Sequence, residues 1–129
     1  MRLIGYTRTN LSEDVGAQDL EEQERGLAEY CRENSHDLTH VLADPDQRWL
    51  THPDGALERA LKSDADGIVI TDPLIIAENV QSVNEFSNKL VKHKKHLLII
   101  YRDTHIDPNE DPHESLMQIC QPLLFQKGS

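Results

Sequence analysis

The chain has 129 residues, 37% of them hydrophobic and 28% charged, with 23 acidic against 13 basic side chains and a formal charge of −10. That length suits one sizeable core, and the apolar runs at 74–77 and 97–101 are far too short to span a bilayer. The acid excess argues against autonomous nucleic-acid binding, because phosphate contacts draw their affinity from a basic face. A local basic groove is compatible with it, and the densest basic run is Lys92-His93-Lys94-Lys95-His96.

Taken in order, residues 2–7 mix β-formers with a glycine and read as a first strand. Residues 10–16 are polar and turn-rich. From 17 to 33, Ala17, Leu20, Leu27, Ala28 and Cys31 recur at helical spacing above an acidic face. A second strand is expected over 38–43, then a loop to residue 51, where Trp49 is either a plug at the core edge or an anchor for a partner. Pro53 and Asp54 read as a helix start, with Ala56, Leu57, Ala60 and Leu61 as its apolar face.

Gly67, Ile68, Val69 and Ile70 form a continuous apolar run, the pattern of a strand covered on both faces. Residues 78–92 read as an amphipathic helix with Val80, Val83, Leu90 and Val91 near one stripe and Phe86 beside it. A further buried strand is expected over 97–101, a polar loop over 103–112, and a short C-terminal helix over 113–126, broken or restarted near Pro122. This alternation defines an α/β fold, a mostly parallel sheet of four to five strands with helices on both faces, in one domain over 1–129.

Particular residues narrow this further. The opening Tyr6-Thr7-Arg8-Thr9-Asn10, the Leu20-Glu21-Glu22-Gln23 at the first helix, the strand running to Asp44, the helix start His52-Pro53-Asp54-Gly55 and the strand leading to Asp72 follow one another in a familiar order. Over most of the chain this resembles the N-terminal catalytic domain of the resolvase/invertase serine recombinases. The resemblance implies their three-layer α/β fold and, for the family, DNA strand exchange through a covalent phosphoserine. It also implies a dimerisation helix and a C-terminal DNA-binding domain; here the helix is short and no such second domain is expected.

At the site that the resemblance marks, the chemistry is depleted. Asn10 stands where the family has its serine, and a carboxamide forms no phosphoester. Pro73 and Ile76 replace the two arginines of an Asp-Arg-Leu-x-Arg motif, and Asp54 stands near the place of another. Arginines there stabilise charge on phosphoryl oxygens, whereas a carboxylate ~5 Å from a phosphate costs several kcal/mol at an effective dielectric of ~20. Arg8 and Asp72 survive as candidate phosphate or ligand contacts, each also readable as structural: an ion-paired arginine and a turn cap. Ser12 is a weak substitute nucleophile, otherwise a turn residue, and Thr9 is another hydroxyl close by.

The resulting expectation is a non-catalytic binding or regulatory module. Its alternatives are an accessory or active recombination protein working with an intact recombinase, and a small-ligand-binding α/β domain. A protein partner or a second copy is expected, with Trp49, Leu74, Ile75 and Ile76 as the candidate surface. DNA stays open by resemblance but is disfavoured by the charge, and no membrane is implicated.

No cofactor is expected, because no glycine-rich loop follows the first strand. No metal is expected either: the histidines lack a ligand spacing, as with His36 and His40, or stand beside lysines, as His93 and His96 do. Cys31 and Cys120, far apart and outside any CxxC pair, fit free thiols in a reducing cytoplasm.

Overall fold

The computed structural model describes residues 1–9, 13–44, 50 and 55–128. Five strands, β1 (Arg2–Arg8), β2 (Asp37–Asp44), β3 (Gly67–Ile70), β4 (His96–Ile99) and β5 (Thr104–Ile106), form one sheet in the order β2-β1-β3-β4-β5. The first three pairings are parallel and β4–β5 is antiparallel. Helices α1 (Glu13–Glu33), α2 (Ala56–Lys62), α3 (Val80–His93) and α4 (Pro112–Gly128) cover it.

Alternation along the strands decides which residue faces which layer. Ile4, Tyr6, Ile68, Ile70, Leu97 and Ile99 point into a core shared with α2, α3 and α4. Leu3, Val69 and Leu98 point the other way, against Leu27 and Cys31 of α1. The three-layer α/β arrangement is thus observed, with one helix on one face and three on the other. All four residues of β3 are buried, as a strand covered on both sides requires.

Close approach of α1 to the sheet explains Gly5. A Cβ there would sit 2.9 Å from Leu27 Cδ1 and 3.1 Å from Val41 Cγ2. Between Leu3 and Ile4 the register with β2 shifts, so that Leu38 and His40 become partners of consecutive residues and Thr39 bulges out. The Thr39 hydroxyl donates to Leu3 O at 3.2 Å, holding that irregularity.

In α2 the four residues expected to face inward, Ala56, Leu57, Ala60 and Leu61, are the buried ones. The α3 stripe needs correction. Val83, Phe86, Ser87 and Leu90 are buried, whereas Val80 and Val91 are 54% and 46% exposed. Val80 lies one turn ahead of the first residue that reaches the core, and Val91 is rotated about 100° from Leu90. The helix starts with a reciprocal capping box: Asn79 accepts from Ser82 N, and the Ser82 hydroxyl accepts from Asn79 N.

Three expected boundaries also move. The first helix begins at Glu13, four residues before the expected start. β4 stops at Ile99, after which Tyr101–Asp103 form a single tight turn with Arg102 and Asp103 both at positive φ. The loop expected over 103–112 contains β5, a three-residue edge strand too short and too polar to show a period. Finally, α4 runs through Pro122 without a break. Its proline is exposed, so water can solvate the Gln118 carbonyl left without an N–H.

The two thiols lie on opposite faces of the sheet, 1% and 0% exposed, and are not bonded to each other. Burial raises both, and with the nearby Asp72 carboxylate it takes Cys120 to about 11. Only the thiolate attacks alkylating agents, and at pH 8 a thiol titrating near 11 is ~0.1% ionised. Iodoacetamide at pH 8 is therefore expected to leave both cysteines unmodified in the folded protein and to modify both in urea, as counted by intact mass. Modification of Cys120 without unfolding would contradict its placement.

Candidate functional site

Strands β2, β1 and β3 end side by side at Asp44, Arg8 and Ile70, with Asp72 two residues further on. The chain passes from β1 to β2 on one side and returns to β3 on the other, so strand order reverses between β1 and β3. In open α/β sheets that crevice, outside the carboxyl ends of the strands, is where ligands bind. Arg8 and Asp72 therefore stand in the right place for a site, and what they do there is visible in their bonds.

Arg8 turns across β3. Its Nη1 donates to Ile75 O at 2.6 Å and its Nη2 to Glu78 Oε1 at 2.6 Å, with the side chain 9% exposed. The guanidinium fork is spent on one backbone carbonyl and one carboxylate of the same chain. Asp72 accepts from Leu74 N at 2.8 Å and caps the single 3-10 turn Pro73–Ile75. Both residues thus have the structural roles considered for them.

Most neighbouring polar groups are bonded as well, although Gln23 Oε1 is buried with no hydrogen-bond partner among the described residues. Gln23, from the Leu-x-x-Gln segment, donates both hydrogens of Nε2, to Arg8 O at 3.0 Å and to Asp19 Oδ2 at 2.9 Å. The Tyr6 hydroxyl donates to Asp44 Oδ2 at 3.3 Å in the buried interior. Burial first, and the Asp44 carboxylate second, push the Tyr6 hydroxyl far above its ordinary range, so it is a neutral donor and no acid. Gln23, Asp19, Tyr6, Asp44 and Glu78 were not singled out as site residues from the sequence. The Tyr-x-Arg opening, the Leu-x-x-Gln pattern and the strand-ending Asp44 signalled three of them, Tyr6, Gln23 and Asp44.

Pro73 and Ile76, where the resemblance leads one to expect arginines, are buried, Ile76 completely. Of the apolar segment offered as a partner surface, Ile75 is 7% exposed and belongs to the core with Ile76; Leu74 alone is exposed, at 48%. The segment is a packed helix entrance with one outward leucine, and not a continuous patch. Asn10, Ser12, Trp49 and Asp54 lie outside the described residues.

Among the described residues no group of three or more His, Cys, Asp or Glu is arranged to hold a metal ion. His96 Nδ1 and His105 Nε2 are 2.9 Å apart on β4 and β5, remote from Arg8. No helix among the described residues is long and apolar enough to cross a membrane.

The fold that these elements build is that of the catalytic domains of resolvase-family serine recombinases. A resolvase family site-specific recombinase from Streptococcus pneumoniae superposes with a TM-score of 0.68 at 13% identity, over 98% of this chain and 89% of that one. The N-terminal catalytic domain of TP901-1 integrase gives 0.64 at 15%, covering 98% and 96%. The C-terminal catalytic domain of ISC1926 TnpA, an IS607-like serine recombinase, gives 0.63 at 19%, covering 78% and 69%. No protein-family model and no curated protein sequence matches the chain.

Proposed function

We propose that this chain is a serine-recombinase-like domain that no longer cuts DNA and acts in recombination as a binding or regulatory module. The observation that carries the reading is the commitment of Arg8. A guanidinium bonded to Ile75 O and Glu78 at 2.6 Å, with 9% of the side chain exposed, offers no fork to a phosphoryl group. Stabilising a phosphoryl transition state requires donors preorganised toward the charge that develops. Here the surviving arginine faces a carboxylate, while Asn10, Pro73 and Ile76 supply neither a nucleophile nor a cation.

The test is covalent trapping. The full chain is incubated with supercoiled plasmid and with mixed-sequence duplex, stopped with detergent, and assayed for nicks and protein–DNA adducts. Neither is expected. The variant Asn10→Ser is also expected to stay inactive, because a hydroxyl alone does not replace arginines at 73 and 76. An adduct through any hydroxyl of the native chain would overturn the proposal.

A further inference from the structure

Away from Arg8, two imidazoles face each other across the antiparallel edge of the sheet. His96 Nδ1 and His105 Nε2 stand 2.9 Å apart, with ring centroids at 5.0 Å and ring planes tilted by 45°. The register brings them together. Leu98 lies opposite His105, so His96, two residues earlier on the same face of β4, is its diagonal neighbour. Aromatic side chains bridge that diagonal. On its other side His96 pairs with Gly67 of β3, which has no side chain to crowd the ring.

In the sequence, Lys94 and Lys95 stand beside His96 and count against a cation there. Strand alternation removes the nearer of them. Lys95 points to the opposite face, where its Nζ donates to Ser63 O at 2.7 Å and to Ala65 O. Lys94 is the left-handed C-cap of α3, outside the strand. Other charged groups close to either ring along the chain or the sheet have partners of their own. Asp66 accepts from Arg2 N at 2.8 Å, and the Arg2 guanidinium pairs with Asp64 at 3.3 Å. Asp103 accepts from the Tyr30 hydroxyl at 2.6 Å, Asp107 accepts from Asn109 N at 2.9 Å, and Arg102 lies over the Tyr101 ring.

Two neutral imidazoles facing in this way share one N–H···N bond. Its proton has another place to go: the far nitrogen of its own ring. That tautomer change frees both facing lone pairs without altering the charge. Two nitrogens each about 2.05 Å from one metal ion, and 2.9 Å from each other, subtend about 90° at the ion. This is the cis angle of a tetragonal or octahedral shell and is narrower than the tetrahedral angle of about 109°.

We propose that His96 and His105 form a two-imidazole site for a divalent transition-metal ion of tetragonal or octahedral preference, of the Cu2+ or Ni2+ class, with water in the remaining positions. Imidazole nitrogen suits such ions, whereas Mg2+ and Ca2+ take oxygen. The formal charge of −10 draws cations to the surface. Once bound, the ion ties the three-residue edge strand β5 to β4. This goes beyond the recombination reading and does not depend on it.

Calorimetric titration of the untagged full chain with NiCl2 at neutral pH tests the site, with MgCl2 as the comparison. One nickel site per chain is expected, and none for magnesium. His96→Gln and His105→Gln should each weaken nickel binding about a hundredfold, because each removes one arm of a chelate. His40→Gln, which removes an exposed histidine of β2, should leave it unchanged. A second measurement places the ion in the native chain without any variant. Substoichiometric Cu2+ is expected to broaden the amide NMR signals of Leu97, Leu98 and Ile106 first.

Absence of nickel binding would overturn the proposal. So would a loss in only one of the two histidine variants, an equal loss in His40→Gln, or broadening centred on another histidine.

Discussion

Replacing Gly67 by alanine is expected to lower the unfolding free energy by about 3 kcal/mol, at the upper end of overpacking costs. Gly67 opens β3 and is paired on both sides, with Leu3 of β1 and His96 of β4. A Cβ there would lie 2.7 Å from His96 O and 3.0 Å from His96 Cβ. The first of these is backbone, and it cannot swing aside as a rotamer does. Moving it means moving the entry of β4, where His96 N already donates to Asp66 O at 3.1 Å and the preceding Lys95 is anchored to Ser63 O. The gain from a less flexible unfolded chain, roughly 0.5–1 kcal/mol, does not offset this.

Gly5→Ala is the informative comparison. Its nearest clash is a leucine methyl, Leu27 Cδ1 at 2.9 Å, and side-chain ends yield more cheaply than backbone, so about 1 kcal/mol is expected. Urea denaturation of both variants decides the matter: equal losses would mean that the backbone carbonyl is not the obstacle.

Arg8→Met is expected to cost about 2–3 kcal/mol, since hydrogen bonds to charged groups contribute roughly 1.5–3 kcal/mol. The side chain ties the end of β1 to Ile75 O and to Glu78, far along the sequence. Methionine fills much of the volume but leaves the carbonyl of buried Ile75 without that donor. Arg8→Lys keeps the charge without the fork and should fall between the two. The sign separates two views of this residue. An arginine held ready for a substrate sits in a strained, self-repelling site, and its removal is usually neutral or stabilising. An unchanged or raised urea midpoint in Arg8→Met would therefore speak for a retained ligand-binding role, and a clear loss for the clamp.

How much of this was legible beforehand depends on whether a residue's environment is local. The run Gly67–Ile70 announced its own burial, because four consecutive apolar residues have only one stable setting in a strand. The inward face of α2 was equally plain from spacing. β5 was not: Thr104–Ile106 is a strand because β4 offers it an open edge, which no property of those three residues records. Val80 and Val91 mislead for a related reason, since helical periodicity gives the direction of a side chain but not whether the sheet extends beneath it. At the site, the resemblance led one to expect arginines at 73 and 76, but the bond from Arg8 to Glu78 joins residues 70 apart, with two crossovers between them. Asp72 as a turn cap was readable from its place before Pro73, because that role is local.

The antiparallel pairing of β4 with β5 has a bearing on how quickly the sheet can assemble. β4 and β5 meet across a single tight turn, with Ile99 beside Thr104, so their contact closes a loop of a few residues. Pairings of that kind form in about 1–10 μs. Every parallel pairing must wait for a helix-bearing crossover: Arg2 finds Asp37, Leu3 finds Gly67, and Gly67 finds His96. The interior strand β1 is made first and completed last, since its second neighbour lies half the chain away. High separation between partners slows the search, and the pace of refolding is accordingly set by β1 recruiting β3, long after the hairpin at the far edge has closed.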